Sequence, residues 1–292
     1  MPGNRRDGPD TEDVGYYDLL GSLGVPYLHW GGLKSTDELL GLCGVSGEKE
    51  VLFVGCGTGY SACYTAQKHG CRVVGVDISE AMVSRARERA REMGLEGRVD
   101  FRVGDAYGLE FEDGAFDIVV TEFVTVFLDK GRALGEYARV LRPGGYVGVN
   151  ELYISENTPK EEAETIAEAQ ALFEEAVGLP LIMPSRSEWR AFFEGAGLED
   201  VHIQEIGYTY SYGEYIPALG GYMKMLGLLL RVFRIMAFDG ELRRRLMKVG
   251  RLKRVIMQDR RTRKYAGAIL CVGRKPVQRG NRLHDKSTVE QA

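Results

Sequence analysis

Five short apolar segments alternate with helical patterns between residues 50 and 151, and this alternation limits the folds open to the chain. The predicted strands cover residues 50–55, 72–77, 99–103, 116–121 and 146–151. Strands that are apolar along most of their length and separated by helices form a parallel sheet covered on both faces. The sequence therefore predicts an α/β fold with a doubly wound sheet. Its ligand site is expected at the carboxyl ends of the strands, near the point where strand order reverses.

Cysteine usage and the amino-terminal sequence favour a cytoplasmic protein. The five cysteines are odd in number and none forms a Cys-x-x-Cys pair, so we expect neither disulfides nor a metal site. The first 13 residues are polar, which predicts that they carry no secretory signal. The apolar run 220–238 is interrupted by Lys224, Arg231 and Arg234, and we do not expect it to span a membrane.

A glycine-rich loop, Gly55–Gly59, follows the first predicted strand directly. Glycines there let the backbone turn tightly and let a ligand lie against bare main chain. Asp77 ends the next strand, where a carboxylate can accept both hydroxyl hydrogens of a ribose. Asp105 follows the third strand and can accept from an adenine amine, while Ala106 offers a backbone N–H to a ring nitrogen. The pattern predicts a nucleoside site.

Two other kinds of protein remain alternatives at this point. A dinucleotide-dependent oxidoreductase would carry a similar loop, but its Gly-x-Gly-x-x-Gly pattern needs a sixth-position glycine, where this chain has Tyr60. A tyrosine would crowd the helix approach that this glycine permits. The second alternative is a non-catalytic module that binds a cofactor or associates with a membrane.

The chain resembles the class I S-adenosylmethionine-dependent methyltransferases, most closely those that act on small molecules. The resemblance covers roughly residues 50–145. It rests on five motifs, which are VLFVGCGTG at 51–59, VVGVDIS at 73–79, GDA at 104–106, FDIVVTE at 116–122 and LRPGG at 141–145. It implies a seven-stranded, mostly parallel sheet with an antiparallel last strand. It also implies S-adenosylmethionine as cofactor, a small-molecule acceptor and in-line displacement of the methyl group.

The resemblance also implies roles for particular residues. Gly55, Gly57 and Gly59, with Cys56 between them, would lie beside the methionyl part of the cofactor. Asp77 would bind the ribose and Ile78 would lie against the adenine, with Asp105 and Ala106 at its edge. The carbonyl of Thr121 would approach the cofactor's amino group. Related enzymes often close this site with an aromatic amino-terminal segment, for which Tyr16 and Tyr17 are candidates; packing on the sheet edge is the alternative.

These expectations divide the chain as follows. We expect one methyltransferase domain at residues 14–276, with disordered tails at 1–13 and 277–292. Within the domain we expect a cofactor-binding core at 45–151, a lid at 152–186 and a helical insertion at 213–264. Both the lid and the insertion are expected to cover the acceptor site.

Three side chains are candidates for catalysis. Glu122 follows the fourth predicted strand and Glu151 ends the fifth, so both carboxylates belong to the ligand edge of the sheet. His29 is the candidate base for a hydroxyl acceptor, which needs one, whereas an amine acceptor needs only to be neutral. The alternatives are a solvent-facing or capping role for each carboxylate and a structural role for His29.

The insertion combines an apolar helix with a basic run. Residues 240–275 contain 13 Lys or Arg and two acids, while the whole chain has a net charge of -4. Three interpretations stay open: the apolar helix roofs the acceptor pocket, forms a homodimer interface through 218–264, or docks on an anionic membrane. The last two would suit a hydrophobic or amphiphilic acceptor, and the third would make the protein peripheral to the membrane. We expect no nucleic-acid partner, because aromatic stacking residues are sparse in the basic run.

Overall fold

The fold was analysed in a computed structural model of the chain, which describes residues 16–207 and 212–277. The predicted tail 1–13, residues 278–292 of the predicted tail 277–292, and residues 208–211 of the segment before the insertion lie outside the described residues.

One seven-stranded sheet organises the domain. Its strands are β1 (Glu50–Val54), β2 (Arg72–Asp77), β3 (Val99–Val103), β4 (Phe116–Glu122), β5 (Leu141–Ile154), β6 (Glu199–Ile206) and β7 (Ala266–Arg274). The strand order is β3-β2-β1-β4-β5-β7-β6. The first five strands pair in parallel, and β7 is antiparallel to both of its neighbours. This topology confirms the predicted doubly wound, mostly parallel sheet.

The strand that follows the Arg142-Pro143-Gly144-Gly145 motif begins earlier than predicted. We expected this strand at 146–151. In the structure β5 starts at Leu141, which pairs with Phe116 of β4, and the register shifts before Ile118 pairs with Tyr146. The motif therefore belongs to β5. The shift in register acts as a β-bulge, which lets β5 pair with β4 on both sides of the motif.

Helices cover both faces of the sheet. They are α1 (Tyr16–Leu23), α2 (Gly32–Leu42), α3 (Tyr60–His69), α4 (Glu80–Glu92), α5 (Lys130–Val140), α6 (Lys160–Val177), α7 (Arg186–Gly195), α8 (Tyr212–Ala218), α9 (Tyr222–Phe238) and α10 (Gly240–Met257). Ser79 caps α4, since its side chain accepts a hydrogen bond from the backbone N–H of Met82. Ser185 caps α7 and forms a capping box with Glu188.

The basic helix of the insertion packs against the acidic helix α6. Lys248 lies 2.6 Å from Glu175, and the guanidinium of Arg245 donates to the backbone carbonyl of Ala176 at 2.9 Å. Beyond the end of α10, Arg261 lies 2.6 Å from Glu161. Part of the basic run is therefore neutralised within the protein, a pairing that the separate sequence patterns did not indicate.

Candidate active site

A cavity of about 310 Å³ opens at the carboxyl ends of β1, β2 and β4. This is where strand order reverses, since the chain adds β2 and β3 on one side of β1 before it places β4 on the other. The walls come from the glycine loop, the residues that follow β2, β3 and β4, and helix α1 with the segment 25–29. The cavity therefore lies at the predicted edge of the sheet.

The glycine loop is held against the end of β2. One carboxylate oxygen of Asp77 accepts a hydrogen bond from the backbone N–H of Gly57 at 2.8 Å, and the other accepts from Ser79 at 3.0 Å. Gly57 has φ of 54°, and a Cβ at this position would meet nothing within 4 Å. A ligand in the cavity can thus lie against the main chain of the loop. A bulky nucleoside sulfonium requires such a close approach.

The nucleoside end of the cavity combines an exposed apolar side chain with two acids. Ile78 lines the cavity and is 77% exposed, an unusual position for isoleucine unless a flat apolar group covers it. Asp77, Asp105 and Ala106 also line the cavity. One carboxylate oxygen of Asp105 accepts from the backbone N–H of Tyr107 at 2.9 Å. The donor and acceptor set fits an adenosyl group.

The opposite end of the cavity holds a buried imidazole and a buried carboxylate. Nε2 of His29 lies 3.5 Å from Oε2 of Glu122, and the two side chains are 3% and 6% exposed. The hydroxyl of Thr36 donates to the other carboxylate oxygen at 2.7 Å. Ser61 brings its hydroxyl to 3.5 Å from Nε2. Both the imidazole and the carboxylate border the cavity.

The other face of the imidazole is supported by a strand residue. Nδ1 of His29 lies 3.2 Å from the amide nitrogen of Asn150 on β5. That amide donates to the carbonyl of Trp30 at 2.9 Å and to the hydroxyl of Ser35 at 3.0 Å. The segment before α2 is therefore tied to the centre of the sheet, and this fixes where the imidazole lies.

Glu151 does not face the cavity, contrary to the expectation that it faces the acceptor. Its side chain is completely buried, and Oε1 accepts hydrogen bonds from the backbone N–H groups of Val124 and Thr125 at 3.0 and 2.7 Å. Burial raises the pKa of this carboxyl to about 7, although the N–H donors act in the opposite direction. The hydroxyl of Thr121 on β4 also donates to Oε1 at 3.5 Å, so the hydrogen bonds of Glu151 go to β4 and the segment after it, not to the cavity.

A buried lysine binds the backbone carbonyls of the segment that follows β4. The ammonium of Lys130 donates to the carbonyls of Val126 and Leu128 at 3.0 and 3.1 Å. Burial lowers its pKa to about 8, while the charge of Glu151 acts to raise it. Glu151 and Lys130 thus position the backbone that carries Phe123 and Val124 into the cavity wall.

The remaining candidates divide into two groups. Gly55, Cys56, Gly57, Asp77, Ile78, Asp105, Ala106 and Tyr17 line the cavity together with His29 and Glu122, whereas Gly59, Thr121, Tyr16 and Glu151 do not. Tyr16 is buried and packs edge-on against Tyr17 at 5.5 Å between ring centroids. Tyr16 therefore packs behind Tyr17 and does not itself line the cavity.

Sequence reasoning missed several residues at this site. Thr36 and Ser61 lie on helices without any motif, so only the packing of α2 and α3 reveals them. Asn150 could have been noticed, because a buried asparagine at a strand end next to an acid needs polar partners. Phe123 has φ of 59°, a conformation that is uncommon for a bulky residue and that follows the FDIVVTE motif directly.

Two further sequence predictions concern the lid and the insertion. Leu179, which follows α6, lines the cavity, but no described residue of the insertion does. The insertion touches the outside of the wall, where the rings of Tyr215 and Tyr27 lie 5.3 Å apart. In residues 16–207 and 212–277, no group of three His, Cys, Asp or Glu side chains is arranged to hold a metal ion.

Comparisons with known proteins agree with this geometry. A family model described as a methyltransferase domain matches residues 52–149. The methyltransferase GfsG of Streptomyces halstedii is 31% identical over 216 residues, which cover 67% of this chain and 76% of GfsG. The chain belongs to the class I S-adenosylmethionine-dependent methyltransferases. S-adenosylmethionine is therefore the cofactor of this enzyme, and the oxidoreductase alternative is set aside.

Two more proteins place this methyltransferase among its relatives. The 27-O-demethylrifamycin SV methyltransferase of Amycolatopsis mediterranei is 31% identical over 174 residues, covering 59% of this chain and 62% of the relative. The crystal structure of the [4+2]-cyclase SpnF superposes with a TM-score of 0.65 at 23% identity, covering 89% of this chain and 94% of SpnF. At that identity the likeness to SpnF concerns the fold. No helix in the described part of the methyltransferase is long and apolar enough to cross a membrane.

Proposed function

We propose that this methyltransferase methylates a hydroxyl group of an apolar small molecule, and that His29 and Glu122 together accept the proton of that hydroxyl. The observation that carries the proposal is the buried contact of 3.5 Å between these side chains at the wall of the cavity. A hydroxyl is a weak nucleophile unless a base removes its proton. The pair offers that base at the end of the cavity away from Asp77 and Asp105.

The cavity walls favour an apolar acceptor. The cavity is lined largely by apolar and aromatic side chains, which include Tyr17, Leu20, Phe123, Phe127 and Leu179. Among the described residues, no lysine or arginine lines the cavity, so a free phosphate on the acceptor would find no cation there. A relative named for the acceptor 27-O-demethylrifamycin SV also supports an acceptor of this kind.

Cofactor binding is assigned to the residues at the other end of the cavity. We propose that Asp77 binds the ribose hydroxyls, that Ile78 packs on the adenine, and that Asp105 and Ala106 bind its edge. Gly55, Cys56, Gly57 and Gly59 would border the methionyl part, and Thr121 would approach its amino group through its carbonyl. Tyr17 would close the site, with Tyr16 behind it. When bound, S-adenosylmethionine supplies an electrophilic methyl group on sulfur.

The residues of this chain then have three tasks. The aromatic wall excludes water and aligns the acceptor, which accounts for most of the rate increase in a reaction of this type. Nε2 of His29 takes the hydroxyl proton, and the carboxylate of Glu122 stabilises the imidazolium that forms. Thr36 and Asn150 are positioning residues, because they contact Glu122 and His29 but do not line the cavity.

The lid is proposed to be the segment 152–186, which would roof the acceptor through Leu179. The insertion 213–264 would act from outside, by supporting Tyr27 through Tyr215. The division of residues 14–276 into a core, a lid and an insertion is part of this proposal.

A labelled-methyl transfer assay tests the function. Cell-extract fractions, with apolar and aqueous fractions kept separate, are incubated with enzyme and labelled cofactor, and the labelled product is analysed for a methyl ether or a methylamine. We expect a methyl ether in an apolar fraction and a loss of about 10²- to 10⁴-fold in kcat for His29→Asn and Glu122→Gln. Binding of S-adenosylhomocysteine should change little in both variants. A methylated amine, or full activity in both variants, would overturn the proposal.

A further inference from the structure

Helix α9 turns most of its apolar side chains away from the protein. Only Leu228 of this helix is buried. The exposed apolar residues are Tyr222, Met223, Leu226, Leu229, Leu230 and Phe233, and Phe238 at the end of the helix is 86% exposed. With 100° between successive residues, those at 222, 226, 229, 230 and 233 share one side of the helix. We call the exposed side chains of residues 222–238 the outer face of α9.

The inner side of α9 contacts the protein through apolar and polar side chains. Leu228 is buried there, and Met225, Val232 and Ile235 are partly buried against the core. The ammonium of Lys224 lies 3.6 Å from the carboxylate of Glu92 on α4, and Arg231 donates to the backbone carbonyl of Leu23 on α1 at 3.3 Å. The helix therefore packs only part of its apolar surface on the protein, whereas an ordinary surface helix buries its apolar side. No residue of α9 lines the cavity.

Basic side chains border the outer face. Arg234 is exposed and lies next to Leu230 on the helix surface. Arg243, on α10, is exposed and donates to the carbonyl of Met236 at 3.2 Å, which places it at the end of α9 near Phe238. Residues 222–257 contain ten Lys or Arg and two acids. An apolar face bordered by cations matches the requirements of an anionic bilayer surface.

The charge also distinguishes a bilayer from a second copy of the chain. In a two-fold symmetric dimer the same surface of both copies meets, so two regions that each hold ten Lys or Arg and two acids would come together. Such an approach of like charges is unfavourable. An anionic lipid surface instead pairs with Arg234 and Arg243 while the acyl region takes up Leu230 and Phe233.

We infer that α9 docks this protein reversibly on anionic lipid bilayers, with the outer face inserted at the level of the headgroups and Arg234 and Arg243 contacting the anionic lipids. The docked helix lies beside α1, whose residues Tyr17 and Leu20 line the cavity. Binding in this way needs neither the acceptor nor turnover, so the inference does not depend on the proposed hydroxyl chemistry.

Vesicle flotation of the full chain tests the inference. Vesicles of phosphatidylcholine with 30% phosphatidylglycerol are compared with pure phosphatidylcholine vesicles, each at about 50 mM and about 500 mM salt. We expect flotation with the anionic vesicles at low salt, and strong weakening at high salt or on neutral vesicles. At ~1 kcal/mol for each basic residue near the surface, Arg234→Gln and Arg243→Gln should each weaken binding about fivefold.

A matched pair of substitutions locates the docking surface. Leu230 and Val277 are both 56% exposed, and Val277 lies beyond β7 beside Gly144, at the edge of the sheet opposite the cavity. Leu230→Glu should weaken flotation at least tenfold, whereas Val277→Glu should bind vesicles as the unchanged chain does. Thermal stabilisation by S-adenosylhomocysteine reports that each variant is folded.

Three outcomes would overturn the inference. The unchanged chain fails to float with anionic vesicles at low salt, or Leu230→Glu floats as well as Val277→Glu. The third is a concentration-dependent dimer in light scattering that Leu230→Glu converts to a monomer without any vesicle binding. That result would assign the outer face to an interface between two copies.

Discussion

The backbone N–H of Gly57 donates a hydrogen bond to Oδ2 of Asp77 at 2.8 Å. This bond joins the glycine loop after β1 to the end of β2, and it uses one oxygen of the carboxylate assigned to the ribose. We therefore expect the position of the loop and the binding of the cofactor to depend on the same side chain.

Asp77→Ala should weaken binding of S-adenosylhomocysteine by about 2 kcal/mol or more, because hydrogen bonds to a charged acceptor are lost. Isothermal titration calorimetry measures the change. Asp100→Ala serves as a control, since Asp100 is an exposed acid on the neighbouring strand β3 and pairs with Arg102. Unchanged affinity in Asp77→Ala would remove this residue from the cofactor site.

Thr36→Val should lower kcat while leaving KM and cofactor affinity nearly unchanged. The substitution keeps the shape of the side chain but removes the hydroxyl that donates to Glu122 at 2.7 Å, so the carboxylate is free to rotate away from His29. Thr36→Ser restores the donor and should recover most of the activity in the transfer assay. If Thr36→Val and Thr36→Ser have the same kcat, the hydroxyl does not position Glu122.

Glu151→Gln should change how stability depends on pH. The folded protein holds the proton of Glu151 up to about pH 7, whereas the unfolded chain releases it near its ordinary pKa of about 4.5. The folded state therefore binds more protons between these values, and the free energy of unfolding falls as pH rises through this window. The full shift corresponds to about 3 kcal/mol.

Urea unfolding at pH 5.0 and pH 7.5 measures the effect of Glu151. The unchanged chain should lose more stability between these two values than Glu151→Gln does, by roughly 2 kcal/mol. Glu164→Gln provides the control, because Glu164 is exposed on α6. Parallel pH dependence in all three proteins would contradict the raised pKa.

Gly59→Ala should destabilise the domain by roughly 3 kcal/mol or more. Gly59 has φ of 74°, and a Cβ there would lie 2.6 Å from the ring of Phe101 and 2.7 Å from the Cβ of Ala86, so backbone strain and a steric clash add together. Gly94→Ala isolates the strain, because Gly94 has φ of 67° and nothing within 4 Å. It should cost about 1–2 kcal/mol. Equal losses of unfolding free energy in the two variants, measured by denaturant unfolding, would mean that Phe101 and Ala86 move aside for the added Cβ.

Local patterns were enough to predict the sheet and to bring the glycine loop, Asp77 and Asp105 to one cavity. Short stretches of sequence are enough to recognise the apolar strands of five or six residues and the glycines after β1. The hydrophobicity of a strand and the backbone requirements of a turn are local properties. Asp77 and Asp105 follow strands that pair side by side, so their common edge follows from the parallel topology.

Tertiary structure alone decided the roles of the polar side chains that come from distant segments. Glu122 and Glu151 have similar sequence contexts, yet one borders the cavity with His29 and the other is buried against backbone N–H groups. The difference arises because a residue's chemistry depends on its solvent access and on partners such as Thr36, 86 residues away in the chain. For the same reason periodicity showed that α9 is apolar but not which side of it faces outward, since that depends on Glu92 and Leu23, which lie on other helices.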